Sequence, residues 1–372
     1  MTKYYFPILL TLLFVSIGCK KKKQETDCTD SPPFDRKEMI SHLTTQYIIP
    51  AYSDYKTKAK SLKDKTKAFT TVTSIDNLLA CQQTWRELAE SWQNVAFLEF
   101  GPAENIGLRS QTNIYPTDTN KINSNISNSN YNIALPSNYV AKGIQALDYL
   151  FFLPNRTSSD IVQYYSNSTN GKQYLESLTN ELYSNASTVF SDWENSATAF
   201  INNTSDNAQG SAVSNIVNAL SAHYETYVRK GKVGIPVGIF NGFSQTPMPA
   251  HSEAYYSGHS VTLLVQEMKA IKQFMNGETF TDQVNGLGLD DYMKYTEAKK
   301  DDLELSKAIN NQISQIIAEA NSLDSPLSEI VNSKPTESKA LYQSMQKLVP
   351  LIKVDLTSAL GVLITYQDND GD

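Results

Sequence analysis

The chain is poor in the residues that most metal and catalytic sites require. Among 372 residues it has three cysteines and four histidines, which are His42, His223, His251 and His259. None of these histidines lies in an HExxH pattern, so a zincin site is excluded. The sequence also lacks a CxxC pair, a glycine-rich phosphate loop and a GxSxG nucleophile elbow. These absences exclude the common signatures of hydrolases, nucleotide-binding proteins and thiol redox proteins.

Strand patterns are lacking as well. The sequence shows no sustained alternation of apolar and polar residues and no Asn-Gly turn between β-branched runs. Helical periodicity is present instead, most clearly from Ser74, a capping residue, to about Phe100, with Leu78, Trp85 and Trp92 at helical spacing. Similar patterns cover residues 34–69, 139–153, 171–200, 208–229, 253–275, 295–321 and 335–366. We predict an all-α fold of two related antiparallel helical bundles, residues 34–205 and 206–372.

Charge is scarce and its balance is acidic. Charged residues make up 19% of the chain and its formal net charge is −7. Because nucleic-acid binding depends on clusters of Lys and Arg that neutralise phosphates, this balance argues against a nucleic-acid partner.

The only long apolar run lies at the N-terminus and reads as a targeting signal. Lys3 precedes an apolar run from Phe6 to Ile17, which is too short to span a bilayer and is followed by Gly18-Cys19. We predict a lipoprotein signal peptide over residues 1–18, lipidation of Cys19 and a polar tether over residues 19–33. The predicted location is the cell envelope, on either the periplasmic or the surface face of the outer membrane. Cys28 and Cys81 then remain, either as a disulfide or as two free thiols.

Two long segments interrupt the helical pattern. Residues 103–136 are rich in Asn, Ser and Thr, and residues 231–250 contain four glycines and three prolines. We predict an irregular excursion with at most one helical turn in the first segment, and a long loop in the second. The first segment is a candidate cover over the helix that follows it.

That helix combines an apolar stripe with polar side chains. In the stretch YVAKGIQALDYLFFL, residues 139–153, Gln145 and Asp148 lie at i,i+3 beside the apolar face. An amide and a carboxylate at the edge of a core are explained either by a hydrogen-bond network between helices or by a binding site.

Four segments together resemble one known family. In chain order they are LAESWQNVAFLEFGPAE, GIQALDYLFF, HSEAYYSGHS and KVDLTSALGVLITYQDNDGD. They are similar to landmarks of the imelysin-like proteins, also called the M75 peptidase family, and in style to envelope lipoproteins of Bacteroidetes-type bacteria. The resemblance implies two bundle-like helical domains, a role linked to iron uptake and, in a few members, metal-dependent proteolysis.

The chain departs from the motif of that family, GxHxxE. Gly143 matches the glycine, but Gln145 stands at the histidine position and Asp148 at the glutamate position. An amide oxygen is a poor ligand for zinc or iron(II) and cannot act as a general base, and Asp is shorter than Glu. A hard cation such as calcium remains compatible with these oxygens. The cofactor is therefore unidentified at this stage, with a divalent metal or iron as the candidates that the resemblance offers and Asp148 as the first candidate ligand.

A second polar segment accompanies the motif. Glu253 and Ser257 resemble an E-x-x-x-S pattern in the second half of the family and are expected at i,i+4 on one helix face. They are either a companion cluster that faces Gln145 and Asp148, or capping and interface groups. Glu99 and Arg109 near the first long segment are interpreted as ion-pair or surface groups.

Three functions remain open at this stage. The first is a lipid-anchored, non-catalytic binding component for iron, haem or metal acquisition, with Gln145, Asp148, Glu253 and Ser257 as its binding residues. The second is a metal-dependent peptidase of the M75 type, and the third is a structural envelope lipoprotein without a small ligand. The membrane, through Cys19, and other envelope proteins are the expected partners.

Overall fold

Helices make up nearly all regular structure in the part of the chain that the structure describes. The structure, a computed structural model, describes Met1 and residues 33–366. In the described residues the strands are a two-residue antiparallel hairpin, β1 (Lys299–Lys300) and β2 (Leu303–Glu304). The all-α prediction is confirmed. The predicted signal peptide, the lipidated Cys19, the tether up to residue 32 and Cys28 lie outside the described residues.

The first group of helices packs around α2, α3 and α9. In chain order its members are α1 (Arg36–His42), α2 (Ile49–Thr71), α3 (Ile75–Gln93), α4 (Pro102–Ile106), α5 (Leu108–Thr112), α6 (Thr119–Asn128), α7 (Gly143–Phe151), α8 (Ser158–Asn167) and α9 (Thr169–Asn202). Ser74 caps α3 as predicted, because its side chain accepts the N–H of Asn77 at 3.3 Å. The three tryptophans Trp85, Trp92 and Trp193 are fully buried in this group.

The second group packs around α11, α13 and α15. Its members are α10 (Ala212–His223), α11 (Ser260–Met275), α12 (Leu289–Tyr295), α13 (Leu305–Asn321), α14 (Leu327–Ser333), α15 (Pro335–Pro350) and α16 (Thr357–Ala359). Helix α11 also packs against α3 of the first group. From Asp35 onward the described chain forms one compact unit, and the domain boundary near residue 205 stays a prediction.

Within residues 33–366, π-helical stretches lie at Leu43–Ile48, Tyr224–Gly234 and Leu351–Leu356. Short π stretches widen a helix locally and redirect its side chains. The stretch at 43–48 lies just before Pro50, which occupies the first turn of α2. Tyr224–Gly234 extends α10 into the segment that was predicted as a loop, and it carries residues of the candidate site.

The prediction for residues 103–136 is wrong in one respect. The segment contains most of α4 together with α5 and α6, and a 3-10 helix, Pro136–Ala141, begins at its last residue. Helix α6 forms in an Asn-rich sequence because Asp118 caps it, accepting the N–H of Lys121, and because Ile122 and Ile126 bury one face. The segment still packs beside α7, as expected of a cover.

Cys81 is buried in α3 as a free thiol, and burial raises its pKa to about 12. Its predicted alternative partner, Cys28, is outside the described range. Among the described residues, no helix combines the length and the apolar content that a membrane span requires.

Candidate functional site

The helix that carries the motif, α7, begins at a glycine that no other residue can replace without strain. Gly143 has φ +77°, a conformation that L side chains rarely adopt. A Cβ at this position would lie 2.1 Å from the carbonyl oxygen of Thr112, the last residue of α5. The glycine of the motif therefore allows the backbones of α5 and α7 to touch.

Both polar residues of α7 are more deeply buried than the sequence suggested. Gln145 is 3% exposed and Asp148 is 1% exposed. Gln145 Oε1 accepts the backbone N–H of Ala254 at 2.8 Å. Asp148 accepts the backbone N–H of Tyr256 at 2.8 Å on Oδ2 and that of Ser257 at 3.1 Å on Oδ1. The motif pair thus holds the segment Ser252–Gly258, which we call the 252–258 turn.

The 252–258 turn is not helical, which corrects the predicted i,i+4 helix face for Glu253 and Ser257. Helix α11 begins only at Ser260. Ala254 has φ +51° and Gly258 has φ +70°, and such left-handed residues break a right-handed helix. The same conformations turn successive N–H groups toward one side, which makes a concave anion site for a carboxylate.

Asp148 is held in that concavity at an energetic cost. Burial raises its pKa to about 7, although the hydrogen bonds from Ser257 and Tyr256 act in the opposite direction. Asp148 therefore changes its protonation state near neutral pH, at the contact between α7 and the 252–258 turn.

Gln145 connects the motif to a second set of polar residues. Its amide Nε2 donates to Asn113 Oδ1 at 2.8 Å, and Asn113 Nδ2 donates to Glu253 Oε1 at 2.7 Å. Glu253 is 1% exposed. The predicted site residues are therefore brought together, Gln145 with Glu253 through Asn113, and Asp148 with Ser257 directly.

A buried ammonium group lies at the centre of this second set. Lys232 Nζ contacts Glu253 Oε2, Gln93 Oε1 at 2.9 Å and Glu267 Oε2 at 3.1 Å. Glu253 and Glu267 raise the pKa of Lys232, outweighing the effect of burial. Burial alone would raise the pKa of Glu267, but Lys232 and, to a smaller extent, His223 lower it to about 2. Two buried carboxylates and one amide oxygen therefore surround one cation.

The set ends at a neutral histidine and an arginine. Arg109 contacts His223 Nδ1, and because a guanidinium can only donate, the imidazole proton must be on Nε2. His223 Nε2 then donates to Glu267 Oε1 at 2.5 Å. Burial and the nearby Arg109 lower the pKa of His223 to about 4, so the ring is neutral at pH 7.

Arg109 was interpreted as a surface or ion-pair group, but it is buried. Its Nη2 donates to the carbonyl of Ala96 at 2.5 Å, and its guanidinium stacks over the ring of Tyr227 at 4.1 Å. Its backbone N–H donates to Glu99 Oε1 at 3.2 Å. Burial raises the pKa of Glu99.

A cleft of about 560 Å³ opens directly beside these residues. It is lined by Glu99, Arg109, Ser110, Asn113, Ile114, Tyr115, Thr226, Tyr227, Lys230, Gly231, Ile235 and His251. The volume is in the range of pockets that hold small organic ligands. We call these polar side chains the buried set: Gln93, Arg109, Asn113, His223, Lys232, Glu253 and Glu267. Asn113 and Arg109 belong both to the buried set and to the cleft wall. The motif therefore lies one hydrogen bond, from Gln145 to Asn113, from the cleft.

Sequence reasoning missed Asn113, His223, Lys232 and Glu267. One signal for Glu267 was available, since it falls on the apolar stripe of α11 between Leu263 and Ile271, where an acid needs a buried partner. Lys232 carried no such signal, because it stands in a Gly-rich stretch that was predicted as a loop.

The motif positions do not fit a transition metal ion. Gln145 offers one amide oxygen, which already accepts the Ala254 N–H, and each oxygen of Asp148 accepts a backbone N–H. First-row metals prefer imidazole, thiolate and carboxylate ligands. Within residues 33–366, no group of three or more His, Cys, Asp or Glu side chains is arranged to hold a metal ion.

A family model matches most of the chain. The model of the family described as imelysin, peptidase family M75, matches residues 48–354. No curated protein matches the chain.

Two solved structures share the fold. An imelysin-like protein from Psychrobacter arcticum is similar with a TM-score of 0.67 at 16% identity, covering 88% of this chain and 96% of that one. A protein from Parabacteroides distasonis, described as a candidate iron-regulated protein A precursor, has a TM-score of 0.72 at 17% identity, covering 89% of this chain and 97% of that one.

Proposed function

Because the chain belongs to the imelysin family, we propose that it is a lipid-anchored envelope protein that binds a ligand in iron or haem acquisition. The description of the Parabacteroides distasonis relative as iron-regulated supports the link to iron. The signal-like N-terminus with Cys19 supports the anchor and the envelope location, with the outer membrane as the expected site. The ligand would be held in the cleft beside Arg109, and other envelope proteins would deliver or receive it.

One observation favours a binding function over hydrolysis. The acceptor atoms at the motif positions hold the 252–258 turn, whereas an open cleft lies one hydrogen bond away through Asn113. Hydrolysis would need a general base or an activated water at the motif, and Gln145 cannot supply the first. The geometry therefore supports a structural role for the motif and a binding role for the cleft.

The cleft offers chemistry suited to haem. His251 provides an imidazole, and Tyr115 and Tyr227 provide aromatic walls. In this proposal haem or chelated iron is cargo, so the protein releases it unchanged.

Haemin titration tests the proposal. The full chain, purified in detergent without chelators, should bind about one haemin per chain, with a change in the haem absorption band. His251→Ala should weaken binding at least about tenfold, as expected for loss of an iron ligand. His259→Ala is the matched control, because His259 pairs with Glu90 and does not line the cleft. No binding of haemin or iron by the unmodified chain would contradict the proposal.

The same preparation tests the two alternative functions, a metal-dependent peptidase and a structural lipoprotein. Incubation with unfolded polypeptides and divalent metals should leave the polypeptides intact. Metal-dependent cleavage that Asp148→Ala abolishes would identify a peptidase instead. A purely structural lipoprotein would show neither cleavage nor any ligand with a defined stoichiometry.

A further inference from the structure

The side chain of Gln145 has two hydrogen-bonding ends, and each end holds a different stretch of the chain around the cleft. Its Oε1 accepts the backbone N–H of Ala254 at 2.8 Å, in the 252–258 turn. Its Nε2 donates to Asn113 Oδ1 at 2.8 Å. Asn113 lines the cleft, and so does His251, which directly precedes the 252–258 turn. Gln145 therefore joins the two stretches that carry these lining residues.

A third hydrogen bond closes a triangle among these groups. Asn113 Nδ2 donates to Glu253 Oε1 at 2.7 Å, and Glu253 precedes Ala254 in the turn. Because a carboxylate can only accept, the Nδ2 end of Asn113 must face Glu253. Asn113 Oδ1 then faces Gln145 and takes a donor from it, so the other end of Gln145 accepts the Ala254 N–H. The three hydrogen bonds, which we call the Gln145 triangle, fix the orientation of both amides.

The Gln145 triangle requires an amide at position 145. A carboxylate there could accept the Ala254 N–H but could not donate to Asn113, and a methionine side chain of similar length could do neither. Gln145 is buried, so water cannot easily replace a bond that is lost. Loss of the amide would therefore shift the two stretches relative to each other.

The stretch that the Gln145 triangle holds is the one that places His251. His251 lies two residues before Glu253 and three before Ala254, which are the two anchored positions of the turn. Asp148 holds the same turn toward its other end, at Ser257, which is six residues from His251. Of the two polar residues on α7, Gln145 is therefore the one whose bonds act nearest to the imidazole along the chain.

We propose that Gln145 is a positioning residue for the cleft, which acts through His251. By fixing the 252–258 turn to Asn113, it sets where the imidazole stands and hence how it meets the iron of a ligand. The inference rests on the proposed function, in which His251 is the haem ligand. It adds that a motif residue behind the cleft wall determines the geometry of ligation.

Two substitutions at Gln145 test the inference. Gln145→Met removes both ends of the amide at similar length, and Gln145→Glu keeps only the acceptor. In haemin titrations of the full chain in detergent, we expect both variants to bind at least about tenfold more weakly than the wild type, as found when the support of a metal ligand is lost. The absorption band of the bound haem should also differ from that of the wild type. Gln83→Met is the matched control, because Gln83 is exposed on α3 and pairs with Glu87.

Modification of the histidines provides a second readout that does not require haemin. Diethyl pyrocarbonate acylates accessible imidazoles, and mass spectrometry of the peptides gives the rate at each histidine. We expect the rate at His251 to change in both Gln145 variants, and the rate at His42 in α1, which contacts the carbonyl of Gly277, to stay as in the wild type. General loosening of the fold would instead change both rates.

Asn113→Leu breaks the Gln145 triangle from its other side. It keeps the inference testable if the Gln145 variants fail to fold, which circular dichroism checks. We expect Asn113→Leu to change the rate at His251 in the same direction. Combining it with Gln145→Met should add little, because the two substitutions remove bonds of one shared network.

Each outcome decides the inference. In folded Gln145 variants, an unchanged rate at His251, equal changes at His251 and His42, or wild-type haemin affinity and absorption band would overturn it. Failure of the Gln145 and Asn113 variants alike to fold would also overturn it, because the triangle would then serve the whole fold. Absence of haemin binding by the wild type would contradict the proposed function, and the rates at His251 would still decide whether Gln145 places the imidazole.

Discussion

At the scale of single residues, Asp148 is the group whose surroundings differ most from what the motif resemblance implied. Instead of an open metal ligand, it is a buried carboxylate bound by two backbone N–H groups of the 252–258 turn. Its environment has a measurable consequence, because burial raises its pKa from the ordinary 3.8 to about 7.

Asp148 should make stability depend on pH. With its pKa raised in the folded state, the folded protein binds more protons than the unfolded chain between pH 3.8 and about 7. The contribution of Asp148 is therefore fully present below pH 3.8 and is lost as pH rises to about 7, in total by about 4 kcal/mol. Urea unfolding of the wild type and of Asp148→Asn should show a stability difference that shifts in favour of the variant across this range.

His223 acts in the opposite direction in an overlapping range. Its lowered pKa, about 4, means that stability from this group rises with pH up to about 6.5. Because His223 is present in both proteins, it cancels in the difference between the wild type and Asp148→Asn. A pH-independent difference would show that the Asp148 carboxyl has an ordinary pKa.

Gly143 makes a second prediction at the residue scale. Gly143→Ala places a Cβ against the backbone of Thr112 in a left-handed conformation, so we expect a loss of about 3 kcal/mol or more of unfolding free energy. Gly210→Ala is the matched control, since Gly210 has φ +87° but open space around it, and it should lose roughly 1 kcal/mol. Similar losses at the two positions would contradict the close contact of α5 and α7.

The sequence allowed the motif residues to be found but not their partners. Gln145 and Asp148 were recognisable because a polar i,i+3 pair interrupts the edge of an apolar stripe. Their acceptor roles depend on backbone N–H groups of the 252–258 turn, and backbone groups leave no trace in residue identity. Sequence spacing at Glu253 and Ser257 also predicted a helix, which the positive φ of Ala254 prevents.

At the scale of helices, Lys232 links three elements. It stands on the π-helical stretch Tyr224–Gly234 and contacts Gln93 at the end of α3, Glu267 in α11 and Glu253 in the 252–258 turn. The start of this π stretch could not be predicted, because π geometry arises from packing and has no distinct residue pattern. The regular helices α3 and α9, by contrast, follow their predicted periodicity because each buries one continuous apolar face.

Removing this link should destabilise the whole fold. Lys232→Met leaves Glu253 and Glu267 buried without their cation, and we expect a loss of about 3–5 kcal/mol in chemical unfolding. Lys307→Met breaks an exposed pair with Glu304 and should change stability by less than about 0.5 kcal/mol. A small effect of Lys232→Met would mean that the two carboxylates take up protons or water instead.

At the scale of the molecule, the buried set joins the two groups of helices. Gln93, Arg109 and Asn113 belong to the first half of the chain, whereas Lys232 and Glu253 belong to the second. Tyr47, in the π-helical stretch between α1 and α2, also donates to the carbonyl of Ala270 in α11. The helical class could be predicted from periodicity alone. The cleft could not be predicted, because it forms only where segments more than a hundred residues apart meet.

The central claim is that the motif holds the fold while the neighbouring cleft binds the ligand. Haemin titration of Asp148→Asn beside His251→Ala tests it most directly. We expect Asp148→Asn, once shown to be folded, to bind about one haemin per chain with the affinity of the wild type, and His251→Ala to bind at least about tenfold more weakly. Loss of haemin binding by folded Asp148→Asn, with binding retained by His251→Ala, would contradict the claim and return the ligand site to the motif.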